Sequence, residues 1–209
     1  ATGKQSKVIT ISGKDRGAIL LAGKTGTAYM MMKKTGNFAS STYYMQSYPA
    51  WREQHVSGKP QDKYYGQRWN LLLDEKAYAN DANDSIIIPG AAKANDRLPM
   101  IYASSSGKPD AEYYESLFTG PYVDEMTLDF AKAAIEGEKL GNNPAGVPDV
   151  LGVSLSSHDY VNHRWGPESR MSHDHLQRLD RMLAKFFDYL DKKVGLDNSL
   201  VLLTADHGF

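Results

Sequence analysis

The chain has 209 residues, and 24 Lys and Arg stand against 25 Asp and Glu for a formal net charge of -1. That balance suits one domain of ordinary size and excludes the basic surface a dedicated nucleic-acid-binding module needs. With 41% hydrophobic and 23% charged residues the composition is that of a folded globular protein, and no apolar run approaches the roughly 20 residues of a membrane-spanning helix. The absence of cysteine excludes disulfides, thiolate metal sites and a cysteine nucleophile together.

Val8-Ile9-Thr10-Ile11-Ser12 is short, rich in β-branched residues and closed by Gly13, which predicts a strand running into a loop. Two apolar stretches, Ile19 to Ala22 and Tyr29 to Met32, flank Gly23-Lys24-Thr25-Gly26, and the second leads to Phe38 through Met45. This region reads as small and hairpin-rich. From Pro49 to Pro121, Tyr and Trp are frequent, charges alternate with Gly, Pro, Asn and Ser, and no helical period is sustained. We read residues 46–122 as an irregular, aromatic-rich insert or cap within one partial catalytic α/β domain spanning 1–209. Asp124 then reads as an N-cap, and Met126, Leu128, Ala131, Ala134, Ile135 and Leu140 as the apolar side of a helix that Gly141 ends. Val150 to Leu155 predicts a buried-type strand, and Leu176, Leu179, Met182, Leu183, Phe186, Leu190 and Val194 predict a strong amphipathic helix before Gly195. Leu200 to Leu203 predicts a second buried strand, so the last third reads as a right-handed parallel βαβ unit. The fold class is α/β.

In open α/β sheets, ligands gather beyond the carboxyl ends of the strands. Both C-terminal strands here lead into residues of metal-ligand type: Ser157-His158-Asp159-Tyr160-Val161-Asn162-His163, and Thr204-Ala205-Asp206-His207-Gly208. Asp159 and His163, four residues apart, face one point if their segment makes a helical turn. Either group alone also suits a solvated loop or helix end; at neighbouring strand ends they supply two carboxylates and two imidazoles, much of a two-metal site. His158 adjoins Asp159 and is a further possible ligand. His173 and His175 read as exposed, because the helix stripe runs through Leu176 and Leu179, and His55 stands without a partner. Gly13-Lys14-Asp15-Arg16-Gly17 places two cations on a strand-end loop, suited to an oxyanion or phosphate or to an ordinary solvated turn. Gly23-Lys24-Thr25 lacks the earlier glycine of a P-loop, since Ala18 stands there, and Asn80-Asp81-Ala82-Asn83-Asp84 lacks the Gly and Glu of a calcium loop.

These residues resemble the alkaline phosphatase superfamily on its type I phosphodiesterase/nucleotide pyrophosphatase side, and within it the threonine-nucleophile alkaline phosphatases. The resemblance rests on Ser12 through Ile19, on Ser41-Thr42-Tyr43-Tyr44-Met45 with Pro49-Ala50-Trp51, on Pro148 through Tyr160 with His163 and Gly166-Pro167, and on Thr204-Ala205-Asp206-His207-Gly208. It implies a three-layer sandwich with a mostly parallel sheet, two zinc ions and a phosphoenzyme formed on a threonine. Asp159 and His163 resemble ligands of one zinc, Asp206 and His207 ligands of the other. Lys14 and Arg16 resemble the pair that contacts the non-bridging oxygens of a phosphate monoester.

The family's metal-binding Asp and nucleophilic Thr lie before the position of Lys14, and a further zinc-binding His lies well after the position of His207. The chain therefore reads as an internal fragment, expected to hold zinc incompletely and to be inactive alone. The resemblance further implies small-molecule phosphate esters as substrates and a periplasmic or secreted parent. Other readings are a phosphodiesterase or nucleotide pyrophosphatase, a sulfatase, or a non-catalytic α/β binding domain.

Overall fold

A computed structural model describes residues 5–81 and 98–208; the acidic stretch 80–84 passes at residue 82 outside the described residues. The first strand, β1 (Val8–Ser12), lies inside a four-stranded sheet. It pairs in parallel with β2 (Thr27–Met31) on one side and with the last strand of the sheet, Val150–Ser154, on the other. A short β3 (Phe38–Ala39) runs antiparallel to β2 at the far edge. Between them in sequence come α1 (Asp15–Ala22), α2 (Ala50–Ser57), the two-stranded pair β4 (Arg68–Trp69) and β5 (Met100–Ile101), α3 (Ala111–Ser116) and α4 (Tyr122–Glu138). After Val150–Ser154, which is β6, follow α5 (Ser157–Trp165) and α6 (Arg170–Lys193).

Strand alternation sorts residues onto two unlike faces. Ile9, Ile11, Tyr29 and Met31 point into the large core with Phe130, Ala131, Ala134 and Ile135 of α4 and Phe186 of α6. Thr10, Ala28, Gly152 and Ser154 face α1, whose buried residues are only Ala18 and Ala22. Small residues on both sides let α1 lie close to the sheet: a Cβ at Gly17 would stand 2.6 Å from Ser12 Oγ and 2.7 Å from Ser154 Oγ. On the other face Phe130 is fully buried, ringed by Phe38 at 4.6 Å, Tyr29 at 5.2 Å, Trp51 at 5.3 Å and His55 at 5.2 Å between centroids. His55 thus has an aromatic partner that its isolation in sequence conceals.

Several sequence readings are corrected. Ile19 to Ala22 belongs to a helix, and the first parallel crossover is β1-α1-β2 rather than a hairpin; α1 turns Leu20 and Leu21 outward at 79% and 57% exposure. A short apolar run without periodicity does not distinguish strand from helix. Pro121, not Asp124, caps α4, and Asp124 lies fully buried in its first turn; the helix ends at Lys139 in a left-handed conformation, two residues before Gly141. Leu200 to Leu203 forms no strand: Leu200, Leu202 and Leu203 are 84% or more exposed, because the segment finds no backbone ladder among the described residues. The second βαβ unit is consequently not made, and β6 remains an edge strand with Val150 half exposed.

Gly17→Ala is expected to destabilise the chain by about 1–3 kcal/mol, the range for overpacked sites, lowering the thermal midpoint followed by circular dichroism. An unchanged midpoint would contradict the close approach of α1 to β1 and β6.

Candidate active site

The site starts from the register of β1 and β6. Ser12 and Ser154 are paired neighbours on parallel strands, so the residues after them leave the sheet at the same edge. Ser12 Oγ then hydrogen-bonds Ser156 Oγ at 3.1 Å and accepts the Lys14 backbone N–H at 3.1 Å, tying the two exits together. The loop read as five residues is short: Gly13 packs against Val123, Lys14 occupies the N-cap position of α1, and Asp15 begins the helix.

α5 starts three residues beyond β6, with Asp159 in its first turn and His163 one turn later. An α-helix brings positions i and i+4 onto one face, and His163 Nε2 lies 3.4 Å from Asp159 Oδ1. The C-terminal segment reaches the same carboxylate, with His207 Nε2 3.4 Å from Asp159 Oδ1. Lys14 Nζ donates to Asp159 Oδ2 and stands 4.8 Å from the Tyr160 ring centroid. Asp159 is therefore the hub: Lys14, His163 and His207 meet on it. Asp206 is carried along by His207, whose Nε2 is 3.6 Å from Asp206 Oδ2, but its side chain is 90% exposed. Arg16 is exposed in the first turn of α1, and its backbone N–H donates to Asp15 Oδ1.

Burial alone would raise the Asp159 carboxyl, but the hydrogen-bonded Lys14 ammonium, followed by His163 and His207, outweighs it and holds the carboxyl below its usual range. The hydrogen bond between His207 Nδ1 and the Gly208 carbonyl at 2.8 Å, then the Asp206 carboxylate, lift the His207 imidazole above its ordinary value. Among the described residues no three or more His, Asp and Glu side chains form a closed metal-binding group; the donors meet pairwise through Asp159.

Two residues of this region escape the sequence reading. His175, read as exposed, is fully buried, and its Nδ1 lies 3.3 Å from Nδ1 of His158, with the two rings stacked at 5.3 Å. His158 thus turns inward to a neighbouring imidazole. Asp124, read as a cap, accepts the Ser157 N–H at 3.1 Å. The signal was periodicity: His175 shares a stripe with Met171, Met182 and Phe186, and Leu176 is the exposed one at 47%. His173 instead pairs with Asp81 at 2.9 Å.

Cation, carboxylate and imidazole gathered beyond the carboxyl ends of adjacent parallel strands stand where α/β sheets bind ligands. The family described as type I phosphodiesterase / nucleotide pyrophosphatase matches residues 8–209, and the chain belongs to it, within the alkaline phosphatase superfamily. It is 42% identical, over its whole length, to alkaline phosphatase PhoV of Synechococcus elongatus, covering 37% of that protein. It is 41% identical over its whole length to a protein of Myroides odoratus named calcium-transporting ATPase, covering 38% of it. A crystal structure of wild-type alkaline phosphatase PafA superposes with a TM-score of 0.75 at 34% identity, over 93% of this chain and 38% of that one. The chain thus spans less than two-fifths of the length of these proteins. Among the described residues no helix is long and apolar enough to cross a membrane.

Lys14→Met removes the main cause of the depressed Asp159 carboxyl. A depressed carboxyl stabilises the fold above its unfolded value and loses that contribution as pH falls through the folded one, so the variant should lose stability relative to wild type above about pH 4. In the metal-free chain the carboxyl carbon of Asp159, followed by NMR, is expected to titrate at higher pH in Lys14→Met; an unmoved titration would contradict the pairing.

Proposed function

We propose that the chain is part of a metal-dependent phosphoric ester hydrolase that cleaves phosphate monoesters of small molecules, in a longer protein that is periplasmic or secreted. The observation that carries this reading is the convergence of Lys14, His163 and His207 on Asp159 at the exits of β1 and β6. The likeness to two proteins named alkaline phosphatases supports it.

The donor set fits zinc. Two carboxylates and two imidazoles are its ordinary oxygen and nitrogen ligands, and ligands about 2.0–2.1 Å from a tetrahedral zinc lie about 3.3 Å apart. The separation of 3.4 Å from Asp159 Oδ1 to His163 Nε2 is of that size, and Asp206 Oδ2 stands 3.6 Å from His207 Nε2. Asp159 and His163 would hold one ion, Asp206 and His207 a second. Zinc bound there would supply Lewis-acid polarisation of a phosphoryl oxygen.

The protein's own groups do the remaining work. Lys14, paired with Asp159 in the metal-free site, would supply an ammonium at the strand exits. Arg16, two residues on in the exposed first turn of α1, would supply the second cation. A monoester carries more charge on its non-bridging oxygens than a diester, so two cations there stabilise its transition state more. In this reading the nucleophile is a threonine. The description of the family favours a second reading, a phosphodiesterase or nucleotide pyrophosphatase using the same metal ligands.

The test is hydrolysis of a chromogenic phosphate monoester and its diester analogue by the full-length protein. Removal of a transition-state donor costs about 10²–10³ in rate, so Lys14→Ala and Arg16→Ala should each lower monoester kcat/KM about 100-fold and spare the diester. Equal losses on both substrates, or a wild-type preference for the diester, would favour the second reading.

A further inference from the structure

On the inner side of α5 lies a polar cluster that the proposed chemistry leaves unused. Asp124 from the first turn of α4 and His175 from α6 are both 0% exposed. Asp124 Oδ2 and His175 Nε2 face each other at 3.5 Å, and neither atom makes a hydrogen bond among the described residues. Asp124 Oδ1 accepts the Ser157 N–H, and the His175 ring stacks on His158. Ser157 and His158 are the first two residues of α5, directly before Asp159.

The other end of the helix is held as well. Trp165, the last residue of α5, is fully buried with its ring 6.0 Å from Trp69. Trp69 Nε1 donates to Asp174 Oδ2 at 2.6 Å, and Asp174 also accepts from Leu72 N–H, Tyr78 Oη and Arg178 Nε. The outward side carries the candidate ligands, with the Asp159 side chain 22% exposed and that of His163 64%.

Resting on the proposed metal-dependent reading, we propose that Asp124 and His175 are positioning residues: together they fix the first turn of α5 through Ser157 and His158, and so set the direction in which Asp159 and His163 present their donors. Ionised groups would be costly at this depth without partners. Burial pushes the Asp124 carboxyl up to about 6 and the His175 imidazole down to about 3, both toward their uncharged forms. An amide keeps this arrangement: in Asp124→Asn, Oδ1 would still accept from Ser157, and Nδ2 would stand where Oδ2 faces His175 Nε2.

The experiment measures zinc affinity of the full-length protein by competition with a chromogenic chelator, beside the thermal midpoint of the metal-free form. Partners behind metal ligands typically contribute 10–100-fold in affinity. Asp124→Leu, close in volume and apolar, should weaken zinc binding by about that factor, and Asp124→Asn should restore wild-type affinity. His175→Leu is the second variant, expected to match Asp124→Leu by releasing His158, and it carries the comparison if Asp124→Leu does not fold. A folded Leu variant with wild-type affinity, or an Asn variant as weak as Leu, would overturn the proposal. Absence of zinc binding by the wild-type protein would instead overturn the functional reading beneath it.

Discussion

The arrangement depends on one constraint, the parallel in-register pairing of β1 with β6. Because Ser12 and Ser154 are opposite one another, the chain leaves both strands at the same edge, and a few residues suffice to bring Lys14 to Asp159. Antiparallel pairing would put these exits at opposite ends of the sheet. The cost of the arrangement is a carboxylate and an ammonium held close together, half-shielded from water, with side chains 22% and 18% exposed. Their mutual attraction and the imidazoles around them offset the desolvation, which is why the carboxyl is depressed although burial pulls the other way.

The two faces of the sheet serve this edge differently. The α1 face is lined with Thr10, Ser12, Ala28, Gly152 and Ser154, so the helix carrying Arg16 sits low against the strand ends. On the other face, bulky residues fill the space under α4 and α6, and those helices bring Asp124 and His175 behind α5. The aromatic segment joins through Trp69, which touches both Trp165 and His175. Three layers therefore act on one nine-residue helix.

Much of this was legible in the sequence. The β-branched run of β1, the stripe of α4 and the four-residue spacing of Asp159 and His163 follow local rules that the structure obeys. The meeting of the Asp159 and Asp206-His207 segments was also legible, although the expected reason, a pair of neighbouring strands, is not how it comes about. Illegible parts depend on long-range partners. Ile19-Leu20-Leu21-Ala22 is apolar in either secondary structure, and only Gly17 and Ala18 lying flat on small strand residues decide for the helix. Leu200 to Leu203 has strand composition, but a strand is made by its ladder, which composition does not supply. His175 is hard to read from sequence because Leu176 beside it offers a competing stripe to that of Met171, Met182 and Phe186, and a buried imidazole is unusual without a partner such as Asp124.

Three segments distant in sequence surround one point, the Asp159 carboxylate. This can be checked by titrating the isotopically labelled chain with paramagnetic cobalt(II), followed by amide NMR. Signals of residues 13–17, 157–164 and 204–208 are expected to broaden together at the same metal concentration, with the far ends of β1 and β6 unaffected. Broadening of one group without the other two would contradict it.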